Sequence, residues 1–379
     1  MNLKLSKVTK APPELDNYAV VLCGGGAAGR WQAGVLSALA HAGILEQTKV
    51  IIGTSVGGLN AGLFTTCGAA ILPGDDKPSA NVLLKEDMGT VTFADGTVDT
   101  IPPPHPFETA VSVWENIKSN KDVYAGTISS LWDKIGAGFG FLFNRPSILD
   151  PKPLHTTLDG LFKNVTLKDA SEMLGIQLIL SSLDLNTQKE EFYTSFGDNQ
   201  DMALSDALKR TSAIPLIFKS IKGTDMDDKK NMHSHWHVDG GVGANNPMVA
   251  INMYNQAFPG AKVKKILIVY CYPDEMTDIG TNIVKPELLK DFSSMKDVAL
   301  GLVPAAMNSQ EQLVEAWAEL FVQETGWDIM AMWPATTPCD ALDFTKTELL
   351  QKGYDYGVVG MGWDYRNKAH IHVLDFLRK

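Results

Sequence analysis

Apolar and polar positions along this chain fall into two alternating patterns. Tyr18–Cys23 is an unbroken apolar run closed by glycines, the pattern of a strand buried on both faces. Trp31–Ala42 follows, with apolar residues at Val35, Leu36, Leu39 and Ala40. That is helical spacing, and Gly43 supplies the stop. Lys49–Ile52 is β-branched and predicts a second strand, and the spacing from Val56 to about Thr66 is helical again. Strand, helix, strand and helix in such quick succession imply parallel strands in a layered α/β fold.

Residues 72–150 break the rhythm. Val91–Val98, with Asp95-Gly96 at its centre, predicts a small hairpin. Pro102, Pro103, Pro104 and Pro106 stiffen the next stretch, and Gly136–Phe143 mixes glycine with Phe139, Phe141, Leu142 and Phe143. The span reads as an insertion beside the core; Phe139, Phe141, Leu142 and Phe143 could form an interfacial lid covering Ser55, as could the Trp317, Trp327 and Trp333 region, although apolar residues at such spacing are more often core. The α/β rhythm then returns. Helices are predicted at Leu154–Phe162, at Leu204–Thr211 with Ser205 as N-cap, at Leu288–Leu302, at Gln310–Gln323 and at Lys346–Gly353. Strands are predicted at Ile176–Leu183 with Glu191–Ser195 as hairpin partner, at Trp236–Val238, at Lys265–Tyr272 and at Asp328–Trp333. No internal repeat is present, and residues 1–379 read as a single domain of three α/β/α layers around a mostly parallel sheet.

Composition narrows the function. With 33 basic against 44 acidic residues the formal charge is −11, which disfavours nucleic acid, whose phosphates require clustered Lys and Arg. The 45% hydrophobic content is that of an ordinary globular protein. No uncharged apolar run reaches the ~18–20 residues of a membrane span. Glu14 and Asp16 interrupt what would otherwise be a secretory leader, and Leu22 stands where a lipoprotein site before Cys23 needs a small residue. The expected location is therefore cytoplasmic. Cys23, Cys67, Cys271 and Cys339 match no zinc spacing and read as reduced, buried thiols.

Three short segments carry chemistry. Gly53-Thr54-Ser55-Val56-Gly57 lies between a predicted strand and a predicted helix, the context of a nucleophile elbow. A serine on so sharp a turn has an exposed hydroxyl, and the helix that follows favours a developing anion. Gly24-Gly25-Gly26-Ala27-Ala28-Gly29 also joins a strand to a helix and can cradle an anion with backbone N–H groups. Gly24, Gly26 and Gly29 fit a dinucleotide fingerprint by spacing, but the second strand ends in Gly53-Thr54-Ser55 with no acidic residue for a ribose. An oxyanion hole fits better. Asp239-Gly240-Gly241 places an aspartate at a strand end, where it can act as a base.

In this order the three motifs resemble the patatin-like phospholipases. Thr211–Phe218, the stretch Val242–Pro247 with Asn245-Asn246-Pro247, and Asp343–Gly353 with Tyr354 are weaker matches, and the resemblance covers about 18–68 and 150–357. It implies a serine lipid acyl hydrolase with Ser55 as nucleophile and Asp239 as base, a dyad without histidine. Gly24, Gly25, Gly26 and Ala27 would form the oxyanion hole, and Gly53, Gly57, Gly240 and Gly241 would support the elbow and the aspartate. It implies a lipid or lysolipid substrate, peripheral membrane contact, and neither cofactor nor metal; family members also include delivered effectors. One departure is Ala28, where the family usually carries Lys or Arg; Arg30 stands two residues later.

Three rivals remain at this level. An α/β-hydrolase triad would combine Ser55 and Asp239 with His370 or His372. A zinc site could use His233, His235, His237 and Asp239, which share one face if Met232–Asp239 is extended, although an exposed polar face explains them more simply. Asp225, Asp227 and Asp228 lack the rest of a calcium loop. A lipid-binding regulator without catalysis would not need both Ser55 and Asp239.

Overall fold

The computed structural model describes residues 4–12, 14–66, 89–92, 98–101, 106–126, 147, 149–162, 164–215, 217–226, 232–273, 318, 322–324 and 326–378. In chain order the elements are β1 (Tyr18–Leu22), α1 (Gly29–His41), β2 (Val50–Thr54), α2 (Val56–Thr65), β3 (Gly89–Thr92), β4 (Val98–Ile101), α3 (Pro106–Asn116), α4 (Lys152–Leu161), α5 (Leu167–Leu174), β5 (Gln177–Asp184), β6 (Lys189–Thr194) and α6 (Leu204–Thr211). They continue as β7 (Ile221–Met226), β8 (Met232–Asp239), α7 (Ile251–Ala257), β9 (Lys265–Val269), β10 (Asp328–Met332), α8 (Leu349–Val359), β11 (Met361–Asp364), β12 (Ala369–His372) and α9 (Val373–Leu377).

The mixed sheet has a parallel centre, β10-β9-β1-β2-β5, with antiparallel β11 and β12 beyond β10, antiparallel β6 on the outer edge of β5, and antiparallel β8, itself paired with β7, on the same edge of β5 as β2. Period-two alternation along β1 feeds two cores. Tyr18, Val20 and Leu22 face α1, α2, α3 and α8, while Ala19, Val21 and Cys23 face α7 and Trp327. Helices therefore cover both faces, as a parallel sheet requires.

Helix α1 is buried along its whole length, so each of its polar side chains needs an internal partner. Gln32 donates to the carbonyls of Cys23 and Val269, tying α1 to the ends of β1 and β9. His41 meets the Tyr354 hydroxyl at 2.7 Å. Helix α8 extends past Gly353, where a stop was expected, because this glycine is a crossing point: a Cβ there would lie 1.9 Å from the Trp31 carbonyl of α1.

Other expectations shift for physical reasons. Ser205 is not an N-cap; Ala203 occupies that position, and the Leu204 and Asp206 N–H groups bond to the carbonyls of Val165 and Ala203. The β3–β4 hairpin forms, with its turn, 93–97, outside the described residues. Helix α3 was not expected in the 72–150 stretch; Ala110, Val111 and Trp114 bury it against α1 and α2, anchoring the insertion in the core. The segment Phe139–Phe143, the helices expected at Leu288–Leu302 and over most of Gln310–Gln323, Cys67, Asp227 and Asp228 lie outside the described residues. Cys23, Cys271 and Cys339 are buried, and no disulfide joins them among the described residues. No helix among the described residues is long and apolar enough to cross a membrane.

Candidate active site

Strand registers bring the two principal residues together. On β5, Ser181 pairs on one side with Phe192 of β6 and Ser182 with Glu191. On the other side Ser181 pairs with Thr54 of β2, and Ser182 pairs with Asp239 of β8. Strands β2 and β8 thus run towards each other along one edge of β5 and meet end to end. The residue after Thr54 must face the end of β8. That residue is Ser55, whose hydroxyl donates to Asp239 Oδ2 at 2.5 Å.

The elbow is strained. Ser55 has φ 56° and ψ −129°, in the half of the backbone map that residues with a Cβ rarely enter. Its N–H donates to Thr211 Oγ1 at 2.9 Å, so the last turn of α6 holds the backbone of the elbow. Thr54 Oγ1 contacts Ser181 Oγ at 2.5 Å and donates to the Ala244 carbonyl at 3.2 Å. Gly53 continues the β2 register opposite Leu22, and Gly57 lies in the first turn of α2.

Asp239 is fixed from both ends. Its N–H donates to the Ala213 carbonyl at 2.9 Å, and its Oδ1 accepts the Gly241 N–H at 2.8 Å. Gly240 leads into a helical turn at Gly241–Ala244, against Ser181. Burial pushes the Asp239 carboxyl from the ordinary 3.8 up to about 7, against the opposing pull of the bonds from Ser55 and Gly241. Ser55 and Asp239 are 3% and 2% exposed, so the pair is almost fully desolvated.

The glycine loop abuts the elbow. A Cβ on Gly24 would lie 2.9 Å from Ser55 Cβ and 2.5 Å from Asn245 Oδ1, so only glycine fits there. Two of the four expected oxyanion donors are already occupied: Gly24 N–H points to the Asn245 carbonyl at 3.4 Å, and Ala27 N–H donates to the Ala341 carbonyl at 2.8 Å. Among the described residues the N–H groups of Gly25 and Gly26 have no acceptor. Asn60 Nδ2 supports the loop from behind, donating to the Gly29 carbonyl and to Gln32 Oε1.

Arg30 does not reach into this loop. Its guanidinium is buried and donates to the carbonyls of Phe344, Trp114 and Ile117, closing the C-terminal end of α3, with its charge over the Trp114 ring. Neither Ala28 nor Arg30 therefore places a cation at the turn.

The histidines have separate engagements. His235 Nδ1 contacts Asp184 Oδ2 at 2.7 Å. Burial works against ionisation of Asp184, but bonds from His235, the Asn186 N–H and Thr187 outweigh it and hold the carboxyl at about 2. His237 is fully buried rather than part of an exposed polar face, with Nδ1 3.1 Å from Glu191 Oε2 and 3.2 Å from the Tyr193 hydroxyl. The His233 side chain lies outside the described residues, and no group of three metal-ligating side chains forms among those described. His370 and His372 lie on edge strand β12, five strands from β2, or ~24 Å at ~4.8 Å per strand. His372 Nδ1 accepts the Leu374 N–H at the start of α9, and His370 packs on Trp363. Neither can complete a triad with Ser55.

The patatin-like phospholipase family model matches residues 20–250. Among relatives, a protein of Invertebrate iridescent virus 6 named probable lipid hydrolase 463L is 28% identical over 118 residues, 31% of this chain and 37% of that protein. The rat (Rattus norvegicus) patatin-like phospholipase domain-containing protein 7 is 25% identical over 205 residues, 48% of this chain and 14% of that protein. The match thus spans well under half of either relative. Among solved structures, VipD from Legionella pneumophila superposes with a TM-score of 0.37 at 13% identity, covering 94% of this chain and 70% of VipD. Human GIVD cytosolic phospholipase A2 gives 0.34 at 11% identity, covering 70% of this chain and 44% of that one.

Proposed function

The chain belongs to the patatin-like phospholipase family, and from that premise we propose that it hydrolyses carboxylic esters of lipids or lysolipids through Ser55 and Asp239. The observation that carries the reading is the 2.5 Å bond between Ser55 Oγ and Asp239 Oδ2 at the meeting point of β2 and β8. A carboxylate in water, with a pKa of ~3.9, is a weak base for an alcohol. Desolvation removes part of that handicap by lifting Asp239 to about 7, near the working pH of a general base.

The course is a two-step displacement. Ser55 Oγ attacks the ester carbonyl while its proton passes to Asp239. The carbonyl oxygen becomes an oxyanion and takes the free N–H groups of Gly25 and Gly26. As the tetrahedral intermediate collapses, the C–O bond to the alcohol breaks and the alcohol leaves with the proton from Asp239. The acyl group stays on Ser55. Water then gives its proton to Asp239 and attacks the acyl carbon, and breakdown returns the proton to Ser55 as the acid departs. Donors preset at the oxyanion carry the largest share of such catalysis, about 10²–10³ each.

The test is release of p-nitrophenol from short- and medium-chain esters, with EDTA present, by wild type, Ser55→Ala and Asp239→Ala. Turnover in wild type and a loss of at least about 10³-fold in both variants is the expected result. Activity that survives Ser55→Ala would overturn the reading.

A further inference from the structure

The family match ends at residue 250, yet two residues beyond it hold the glycine loop. Strands β1 and β9 are parallel neighbours with Leu22 opposite Val269. Three residues past each strand, Gly25 and Tyr272 remain side by side, and the Tyr272 hydroxyl donates to the Gly25 carbonyl at 3.0 Å. The Ala28 N–H donates to the same carbonyl at 3.2 Å. One peptide further on, the Ala27 N–H donates to the Ala341 carbonyl at 2.8 Å and the Gly29 N–H reaches the Gly26 carbonyl. The peptide planes on both sides of Gly26 are thereby pinned.

A trans peptide is planar, so the carbonyl of Gly25 and the N–H of Gly26 point to opposite sides of one rigid unit. Whatever holds that carbonyl also sets where that N–H aims. Glycine has the widest choice of conformations, so a run of three glycines has the greatest need of such an outside hold. Among the described residues Tyr272 supplies the one side chain bonded to the carbonyl of Gly25 or Gly26.

We propose that Tyr272 is a positioning residue of the acyl-transfer site, its hydroxyl holding the Gly25 carbonyl so that the Gly26 N–H is aimed at the oxyanion. The inference rests on the reading of Ser55 as nucleophile. It concerns a residue outside the matched motifs, placed only by strand register.

Tyr272→Phe removes one oxygen and keeps the ring. The measurements are kcat and KM on a p-nitrophenyl ester and the inhibition constant of an alkyl boronic acid, which forms a tetrahedral adduct on a serine. Ser55→Ala serves as control. Loss of a donor costs about 10²–10³ in turnover, so a donor left in place but no longer aimed should cost about tenfold. The expected result is that fall in kcat, the same loss in boronate affinity, an unchanged KM and an unchanged unfolding temperature. Incorporation of 3-fluorotyrosine at position 272 keeps the hydroxyl and should retain wild-type kcat; a loss equal to that of Tyr272→Phe would show a packing role and overturn the proposal. Wild-type kcat and boronate affinity in Tyr272→Phe would overturn it alone. A wild type with neither turnover nor Ser55-dependent boronate binding would overturn the reading of Ser55 and this proposal with it.

Discussion

Under the proposed mechanism Asp239 trades stability for chemistry. Folding raises its pKa from 3.8 to about 7, so the native state favours the neutral carboxyl. Its contribution to stability is therefore present below about pH 4 and is lost as pH rises through 7. In the proposed mechanism activity runs the other way, because the base must be ionised. For the free enzyme kcat/KM should rise with pH through about 7 with the slope of one proton and then level off, as a pH–rate profile would show. Asp239→Asn removes the buried charge and keeps the shape. It should abolish turnover and raise the unfolding temperature at pH 8 by about 2–4 °C, read by calorimetry. Thr211 acts on the other partner. Thr211→Val leaves the buried Ser55 N–H without its acceptor and should lower kcat about tenfold, while Thr211→Ser keeps it and the rate. Ser55 and Asp239 were legible in the sequence because glycines flank them at strand ends. Thr211 stood in a recognisable segment, but nothing in its spacing marked the hydroxyl as the acceptor for Ser55.

At the scale of elements, periodicity was most informative where an element is buried on all sides. Strand β1 and helix α1 lie within two residues of their expected bounds, and β9 starts at Lys265 as expected but ends three residues before Tyr272. Helix α3 was hidden by the prolines before it and by the irregular stretch around it. Its C-terminal end is closed by Arg30, a residue on a different helix. Arg30→Met should leave those carbonyls unpaired and loosen the end of α3. The expected outcome is faster proteolytic cleavage around residues 117–126 and an unfolding temperature a few degrees lower. The rows of histidine show the reverse case. Alternation placed His235, His237 and Asp239 on one face, but only the neighbouring β5, β6 and the turn after β2 decided that each would engage a different carboxylate or hydroxyl.

For the whole molecule, the sheet extends beyond the family match. Residues 20–250 contain most of β1 and all of β2, β5 and β8 but not β9, which lies between β1 and β10. A fragment ending at residue 250 would expose one edge of β1 and lose the ties from Tyr272 and Ala341 to the glycine loop. Such a fragment should fail to give a cooperative thermal transition by circular dichroism, whereas the full chain should give one. The sequence by itself determined the α/β class, the glycine turn, the elbow at Ser55 and the aspartate at Asp239, because each depends on local backbone geometry and burial. Tertiary structure alone decided that β2 and β8 meet end to end on β5, which loop N–H groups lack an acceptor among the described residues, and how far Asp239 is desolvated. These depend on register and packing between segments more than a hundred residues apart, and no local pattern records them.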